Sequence, residues 1–112
     1  MRVTAEELEE VREARVEGKI NSLTAPDFEK ALEQAILGEP KNLIVNLEEV
    51  SFLSSAGLRS ILRIAKRLER EDKTIAFAGA SDLVAEVIRM SGVDRLFCIY
   101  GTTTEAREGL RV

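Results

Sequence analysis

The chain has 112 residues, a formal net charge of −4 and no histidine. This length is typical of one domain, taken here as residues 1–112, and is sufficient for a single core. The acidic balance argues against a nucleic-acid binder, which normally has a basic stripe. No apolar run approaches the ~18 residues of a bilayer span, and the acidic N-terminus has no apolar signal core. We therefore expect a cytoplasmic protein that binds no nucleic acid and does not insert into a membrane.

The missing residue types narrow the chemistry further. Without histidine, Ser/His/Asp and Cys/His catalysis are excluded, and the commonest metal ligand is absent. Cys98 is the only cysteine, and its apolar surroundings in "RLFCIY" predict a buried, inert thiol. Neither GxxxxGK[ST] nor GxGxxG occurs, so no phosphate-binding loop is predicted. We expect a protein that is not an enzyme and that needs no cofactor and no metal.

Two weak strand patterns open the chain, over residues 2–8 and 11–20, and predict a hairpin that turns at Glu9 and Glu10. The alternation in the second run is imperfect, so a short charged helix over residues 5–15 is the alternative. Gly18 is typical of a strand end and favours the hairpin.

A helix is predicted after this hairpin. Thr24 and Asp27 resemble a capping box, Pro26 suits the first turn, and Gly38 and Pro40 end the helix. Its apolar residues recur with helical spacing: Phe28, Ala31, Leu32, Ala35 and Ile36.

The rest of the chain alternates between buried strands and amphipathic helices. "NLIVNL", "KTIAFAG" and "LFCIY" are short apolar runs, as expected for strands covered on both faces. Helices are predicted after "SS" at 54–55, after the cap Ser81-Asp82 with an apolar side of Leu83, Val84, Val87 and Ile88, and after the capping box of Thr102 and Glu105. The pattern predicts one α/β domain with a mixed sheet of four to five strands and about four helices. The expected core residues are Leu43, Val45, Leu47, Phe52, Leu58, Ile61, Leu62, Ile75, Phe77, Val87, Leu96 and Ile99.

Two adjacent serines stand where the strand of "NLIVNL" leads into the second helix. Ser54 is predicted as the N-cap, worth ~1 kcal/mol over alanine, and Ser55 as the first helical residue with its hydroxyl outside. Gly57 costs up to ~1 kcal/mol in a helix relative to alanine, which indicates a close approach to the backbone at this point. Taken alone, these residues are explained by capping and a tight packing position.

The wider segment "IVNLEEVSFLSSAGLRSIL" resembles the signature of the STAS family, the anti-sigma-factor antagonists. "VEGKINSLTAPDFEKAL" and "MSGVDRLFCIYGTTTEA" extend the resemblance over nearly the whole chain. It implies a STAS-like domain that binds an anti-sigma factor with serine kinase activity and releases a sigma factor. It also implies that this kinase phosphorylates Ser55, with Ser54 as the alternate acceptor, and that a serine phosphatase reverses the modification.

Two positions depart from the family pattern. Ser54 replaces the aspartate that precedes the acceptor, and Asn21 replaces the aspartate at the end of the G-x-L-D strand. The loss of both carboxylates would slow phosphoryl transfer if they orient the acceptor or the metal of the nucleotide. Alternatively, Ser54 merely replaces one good N-cap with another.

Loops that follow parallel strands open at the same edge of a sheet, where open α/β folds usually bind ligands. This places the predicted partner surface at residues Asn21, Ser22, Ser54, Ser55, Ala56, Gly57, Arg59, Ala80 and Ser81. A second function remains open: a non-phosphorylated STAS scaffold, or an accessory subunit of a transporter or sensory complex.

Overall fold

Five strands and four α-helices alternate along the described residues, 1–93 and 97–110, of the computed structural model. In chain order they are β1 (Arg2–Glu7), β2 (Val11–Ile20), α1 (Ala25–Ala35), β3 (Asn42–Leu53), α2 (Ser55–Glu69), β4 (Ile75–Ala78), α3 (Asp82–Ser91), β5 (Cys98–Tyr100) and α4 (Thr103–Leu110). The predicted α/β class and the predicted order of elements are confirmed.

The strands form one mixed sheet in the order β1-β2-β3-β4-β5. β1 pairs antiparallel with β2, and every other neighbouring pair is parallel. The predicted hairpin is therefore present, and the alternative helix over residues 5–15 is wrong. The parallel strands bring the starts of α1 and α2 to the same end of the sheet.

β3 is longer than the predicted strand over residues 42–47, because it continues to Leu53. Its register against β2 shifts after Arg15 and again after Gly18, and each shift gives β3 one extra residue. Such bulges interrupt the alternation of side chains between the two faces of a sheet. Leu53 is consequently buried, whereas Phe52 is 44% exposed, so the prediction of Phe52 as a core residue is wrong.

The main apolar core lies between one face of the sheet and helices α1, α2 and α3. The predicted core residues that are buried in it are Leu43, Val45, Leu47, Leu58, Ile61, Ile75 and Phe77. Leu62, Val87 and Ile99 are partly buried against this cluster, and Leu96 lies outside the described residues. Leu83 is 64% exposed, so its assignment to the apolar side of α3 is wrong. Val84, Ala85 and Ile88 are buried on that side, and Val87 is partly buried there, as predicted.

The opposite face of the sheet is covered by α4, through a smaller cluster that includes Ile44, Ala78 and Ala106. Tyr100 packs against this cluster. The pKa of its hydroxyl is raised, mainly by burial and to a lesser extent by its contact with Cys98. Cys98 itself is exposed because β5 is a three-residue strand at the edge of the sheet. The prediction of a buried thiol is therefore wrong.

Candidate functional site

The ends of β2 and β3 lie side by side. Ile20 pairs with Leu53, and the Ser54 amide donates a hydrogen bond of 2.8 Å to the carbonyl of Ile20. Asn21 and Ser54 directly follow β2 and β3, so the turns that lead into α1 and α2 are neighbours. The structure therefore brings Asn21, Ser22, Ser54 and Ser55 to one end of the sheet, as the sequence predicts.

The start of α1 is closed by a reciprocal pair of side chains. Asn21 Oδ1 accepts hydrogen bonds from the amides of Leu23 and Thr24, at 2.9 and 3.0 Å. Thr24 Oγ1 accepts from the Asn21 amide at 2.9 Å and donates to the Lys19 carbonyl at 2.8 Å. This arrangement is a capping box one turn earlier than the predicted pair of Thr24 and Asp27.

The predicted cap by Thr24 is wrong because its backbone is already helical, with φ −93° and ψ −16°, and its side chain caps no amide of α1. A capping oxygen needs the extended backbone that normally precedes a helix. Thr24 was singled out from the sequence, but its pairing with Asn21 was missed. The spacing from Asn21 to Thr24 is the signal that could have shown it.

The start of α2 contains the two serines, and they differ in their surroundings. Ser54 has an extended backbone and is partly buried, and its Oγ accepts a hydrogen bond of 3.2 Å from the Gly57 amide, which confirms the predicted N-cap. Ser55 is the first residue of α2 and is exposed, and its hydroxyl makes no hydrogen bond within the described part of the chain. One hydroxyl is thus used by the fold, and the other is accessible.

Gly57 fixes the position of this helix start. It is buried, and a Cβ atom placed on it would lie 2.6 Å from Ile20 Cγ2 and 2.8 Å from Leu53 Cδ1. The absence of a side chain lets α2 pack directly on the ends of β2 and β3. Within the predicted partner surface, Gly57 therefore positions the two serines rather than offering a contact of its own.

A shallow groove of about 370 Å³ lies between α1 and α2, and neither Ser54 nor Ser55 lines it. Its lining includes three predicted site residues, namely Ser22, Ala56 and Arg59. Arg63 Nη2 lies 2.6 Å from Glu29 Oε1 in this groove, and the hydrogen bonds from Arg63 lower the pKa of Glu29.

The loop after β4 is separated from the ends of β2 and β3. β4 ends opposite Asn46, whereas β3 continues to Leu53, so Ala80 and Ser81 follow a strand that ends beside the middle of β3. Ser81 Oγ accepts a hydrogen bond of 3.2 Å from the Val84 amide, which confirms it as the cap of α3. This separation was not predicted, because the strand over residues 42–47 was expected to end before residue 53.

Two further properties of the described ranges bear on function. No group of three acidic, cysteine or histidine side chains is placed to hold a metal ion there. None of the helices in the same ranges is long and apolar enough to cross a membrane.

The family of the protein follows from its likeness to known proteins. A model of the STAS domain family matches residues 2–106, and the chain belongs to this family. The anti-sigma-B factor antagonist of Staphylococcus aureus is 30% identical over 94 residues, which cover 83% of this chain and 87% of that protein. The anti-sigma-F factor antagonist RsfB of Mycobacterium tuberculosis is 28% identical over 94 residues, covering 84% of this chain and 76% of that protein.

A solved structure gives the same result. The crystal structure of an anti-sigma factor antagonist from Mycobacterium paratuberculosis superposes with a TM-score of 0.89 and 27% identity, covering 99% of this chain and 94% of that one. The resemblance seen in the sequence, and the STAS fold that it implies, are confirmed.

Proposed function

We propose that this protein is an anti-sigma-factor antagonist. Its unmodified form binds an anti-sigma factor with serine kinase activity, which releases a sigma factor, and phosphorylation of Ser55 prevents this binding. The names of its relatives support the proposal. The observation that carries it is the exposed hydroxyl of Ser55 at the start of α2, which has no hydrogen-bond partner among the described residues. Because sigma factors act on transcription, we place the protein in the cytoplasm.

The surroundings of the two serines favour Ser55 as the acceptor. Ser54 Oγ is partly buried and occupied by the Gly57 amide, so phosphorylation there would disrupt the cap of α2. In the proposed reaction, Ser55 Oγ bonds to the γ-phosphorus of ATP held by the kinase, while the bond from that phosphorus to the bridging oxygen of the departing ADP breaks. The hydroxyl proton passes to a base of the kinase. A serine phosphatase hydrolyses the phosphoester, restoring the hydroxyl and releasing inorganic phosphate.

The phosphate would act on the interface and leave the fold unchanged. It adds about −1.5 to −2 charges to the start of a helix, a place where an anion is tolerated or slightly stabilising. In a packed interface the same charge is taken out of water, which costs several kcal/mol. Binding is therefore lost while the domain stays folded.

The two departures from the family pattern bear on this proposal in different ways. Asn21 and Ser54 each keep an oxygen that caps a helix start, which supports the interpretation that one cap has replaced another. They lack the carboxylates, and slower phosphoryl transfer remains a prediction. The absence of those carboxylates also favours the second candidate function, a STAS scaffold or accessory subunit that binds its partner without being phosphorylated.

Phosphopeptide mapping tests the proposal and separates the two candidates. Wild type, Ser54→Ala and Ser55→Ala are incubated with the cognate kinase-type anti-sigma factor and Mg-ATP, and fragmentation mass spectrometry locates the phosphate. We expect phosphate in wild type and Ser54→Ala and none in Ser55→Ala. Phosphate on Ser54 alone would contradict the site, and binding without phosphate on either serine would support the scaffold.

A further inference from the structure

Three arginines follow one another along α2 at intervals of four residues, and two of them hold glutamates of α1. Arg63 Nη2 lies 2.6 Å from Glu29 Oε1, and Arg67 Nη1 lies 3.4 Å from Glu33 Oε2. Because the two glutamates are also four residues apart, α1 and α2 run parallel and in step. Arg59 is the first arginine of the series, one turn nearer to the helix start.

Arg59 differs from the other two arginines because no anion of the described residues pairs with it. The position of α1 that lies four residues before Glu29 is Ala25, which has no carboxylate. The hydrogen bond of 3.4 Å from Ser60 Oγ to the Ala25 carbonyl confirms this register. Arg59 is exposed, and within residues 1–93 and 97–110 its guanidinium makes no hydrogen bond or ion pair.

Ser55 stands one further step of four residues before Arg59, so the two share one side of α2. Side chains with this spacing have Cβ atoms about 5–6 Å apart and interact readily. We propose, resting on the proposed function, that Arg59 is the intramolecular ion-pair partner of the phosphate on Ser55. Guanidinium and phosphate form short, charge-assisted hydrogen bonds, often two at a time. Phosphorylation thus supplies Arg59 with the anion that α1 does not provide.

Among the described residues that line the groove, Arg59 and Lys30 are the cations without an ion pair. Glu29 and Glu33 are held by Arg63 and Arg67. Lys30 is on α1, beside the second turn of α2 after Ser55, whereas Arg59 is on the first turn after Ser55. Ile20 and Leu53, which pack under the start of α2, are apolar and carry no charge.

This pairing gives phosphorylation two effects on the partner surface. It introduces an anion at Ser55, and it also withdraws the cation of Arg59 from any acidic group of the partner. The unmodified surface therefore presents a free guanidinium, and the modified surface presents a guanidinium bound within its own chain.

The test installs phosphoserine at position 55 during translation, so that it does not depend on the kinase. Phosphorylated wild type, Arg59→Gln and Lys66→Gln are titrated by ³¹P NMR. Lys66→Gln removes the same charge from the same side of α2, about 16 Å from Ser55 along the helix. We expect the second phosphate pKa, ordinarily about 6, to be about half a pH unit higher in Arg59→Gln than in wild type. Lys66→Gln should match wild type, and 1 M salt should remove most of the difference.

Equal phosphate pKa values in wild type and Arg59→Gln would overturn the pairing, and so would an equal shift in Lys66→Gln, which would indicate only the general field of the helix. Failure of the kinase to modify Ser55 would instead contradict the proposed function and leave this titration unaffected. The two ideas are therefore tested separately.

Discussion

The starts of α1 and α2 are neighbours at the ends of adjacent parallel strands, but they use their polar side chains differently. At α1, Asn21 and Thr24 hydrogen-bond each other's backbone amides, and both side chains are engaged. At α2, Ser54 caps the helix alone and Ser55 has no partner within the described residues. At the start of α1 the polar side chains satisfy each other, whereas the start of α2 has a hydroxyl, that of Ser55, which the fold does not use. Such a group is available for chemistry.

The largest effect should come from charging that free group. We expect Ser55→Asp to weaken binding of the anti-sigma partner by about 2 kcal/mol, roughly thirtyfold, because the new carboxylate would be desolvated in the interface. Aspartate carries about half the charge of phosphate, so the mimicry is partial. Ser55→Ala should bind like wild type and resist inactivation by ATP. Calorimetric titration of both variants against the partner measures this difference.

Thermal unfolding of the same two variants provides the control. Both should melt within a few degrees of wild type, because an anion at a helix start contributes only ~0.3 to 1 kcal/mol. Equal affinity of the two variants would place Ser55 outside the interface. A large loss of stability in Ser55→Asp would show that the hydroxyl belongs to the fold after all, and the contrast between the two helix starts would disappear.

The next largest effect concerns the packing that holds the start of α2. Gly57→Ala should lower the free energy of unfolding by about 1–2 kcal/mol. The added methyl group overlaps with Ile20 and Leu53, and the higher helix propensity of alanine offsets part of that cost. Gly101→Ala is the matched control, since its Cβ would meet only the Glu105 carboxylate at 3.7 Å. Urea denaturation of both variants checks the prediction, and equal stability would mean that the strand ends yield easily.

A moderate effect is expected from removing the caps. Asn21→Ala and Ser54→Ala should each lose about 1 kcal/mol, with the larger loss at Asn21 because its oxygen serves two amides. Asn21→Asp and Ser54→Asp keep the capping oxygen and should retain the stability of wild type or exceed it. Chemical denaturation distinguishes these outcomes. If Ser55→Ala lost as much as Ser54→Ala, the assignment of the cap to Ser54 would be incorrect.

The smallest effect belongs to the ion pair that joins the two helices. Glu29→Gln should cost about 0.5 kcal/mol at pH 7, since Arg63 is well exposed. The pKa of Glu29 is lowered in the folded protein, so its contribution is complete above the ordinary value of 4.5 and is lost as the pH falls through the lowered pKa. The stabilities of variant and wild type should therefore converge at low pH. A gap that persists at pH 2.5 in urea titrations would show that packing, not charge, is responsible.

The order of elements was predictable because each has a strong local signal. The stripe of α1, the apolar run of β4 and the caps at Ser54 and Ser81 all depend on residues close together in the chain. The location of the two serines at a helix start was predictable for the same reason.

The features that were missed depend on distant pairing. Phe52 is exposed because β3 gains residues against β2, and Cys98 is exposed because β5 is the last strand of the sheet. Neither fact is visible in the local pattern of apolar residues. The different uses of Ser54 and Ser55, by contrast, were predicted from the sequence, because a cap and the first helical residue are defined by their local positions.

The close packing at Gly57 has a consequence for timing. A helix that packs on two strand ends with no room for even a methyl group resists small displacements, because well-packed contacts do not deform gradually. A phosphate on Ser55 would therefore change the binding surface at once, without a slow rearrangement of the domain. The duration of the signal would then depend on the rates of phosphorylation and dephosphorylation, and not on any relaxation of the domain.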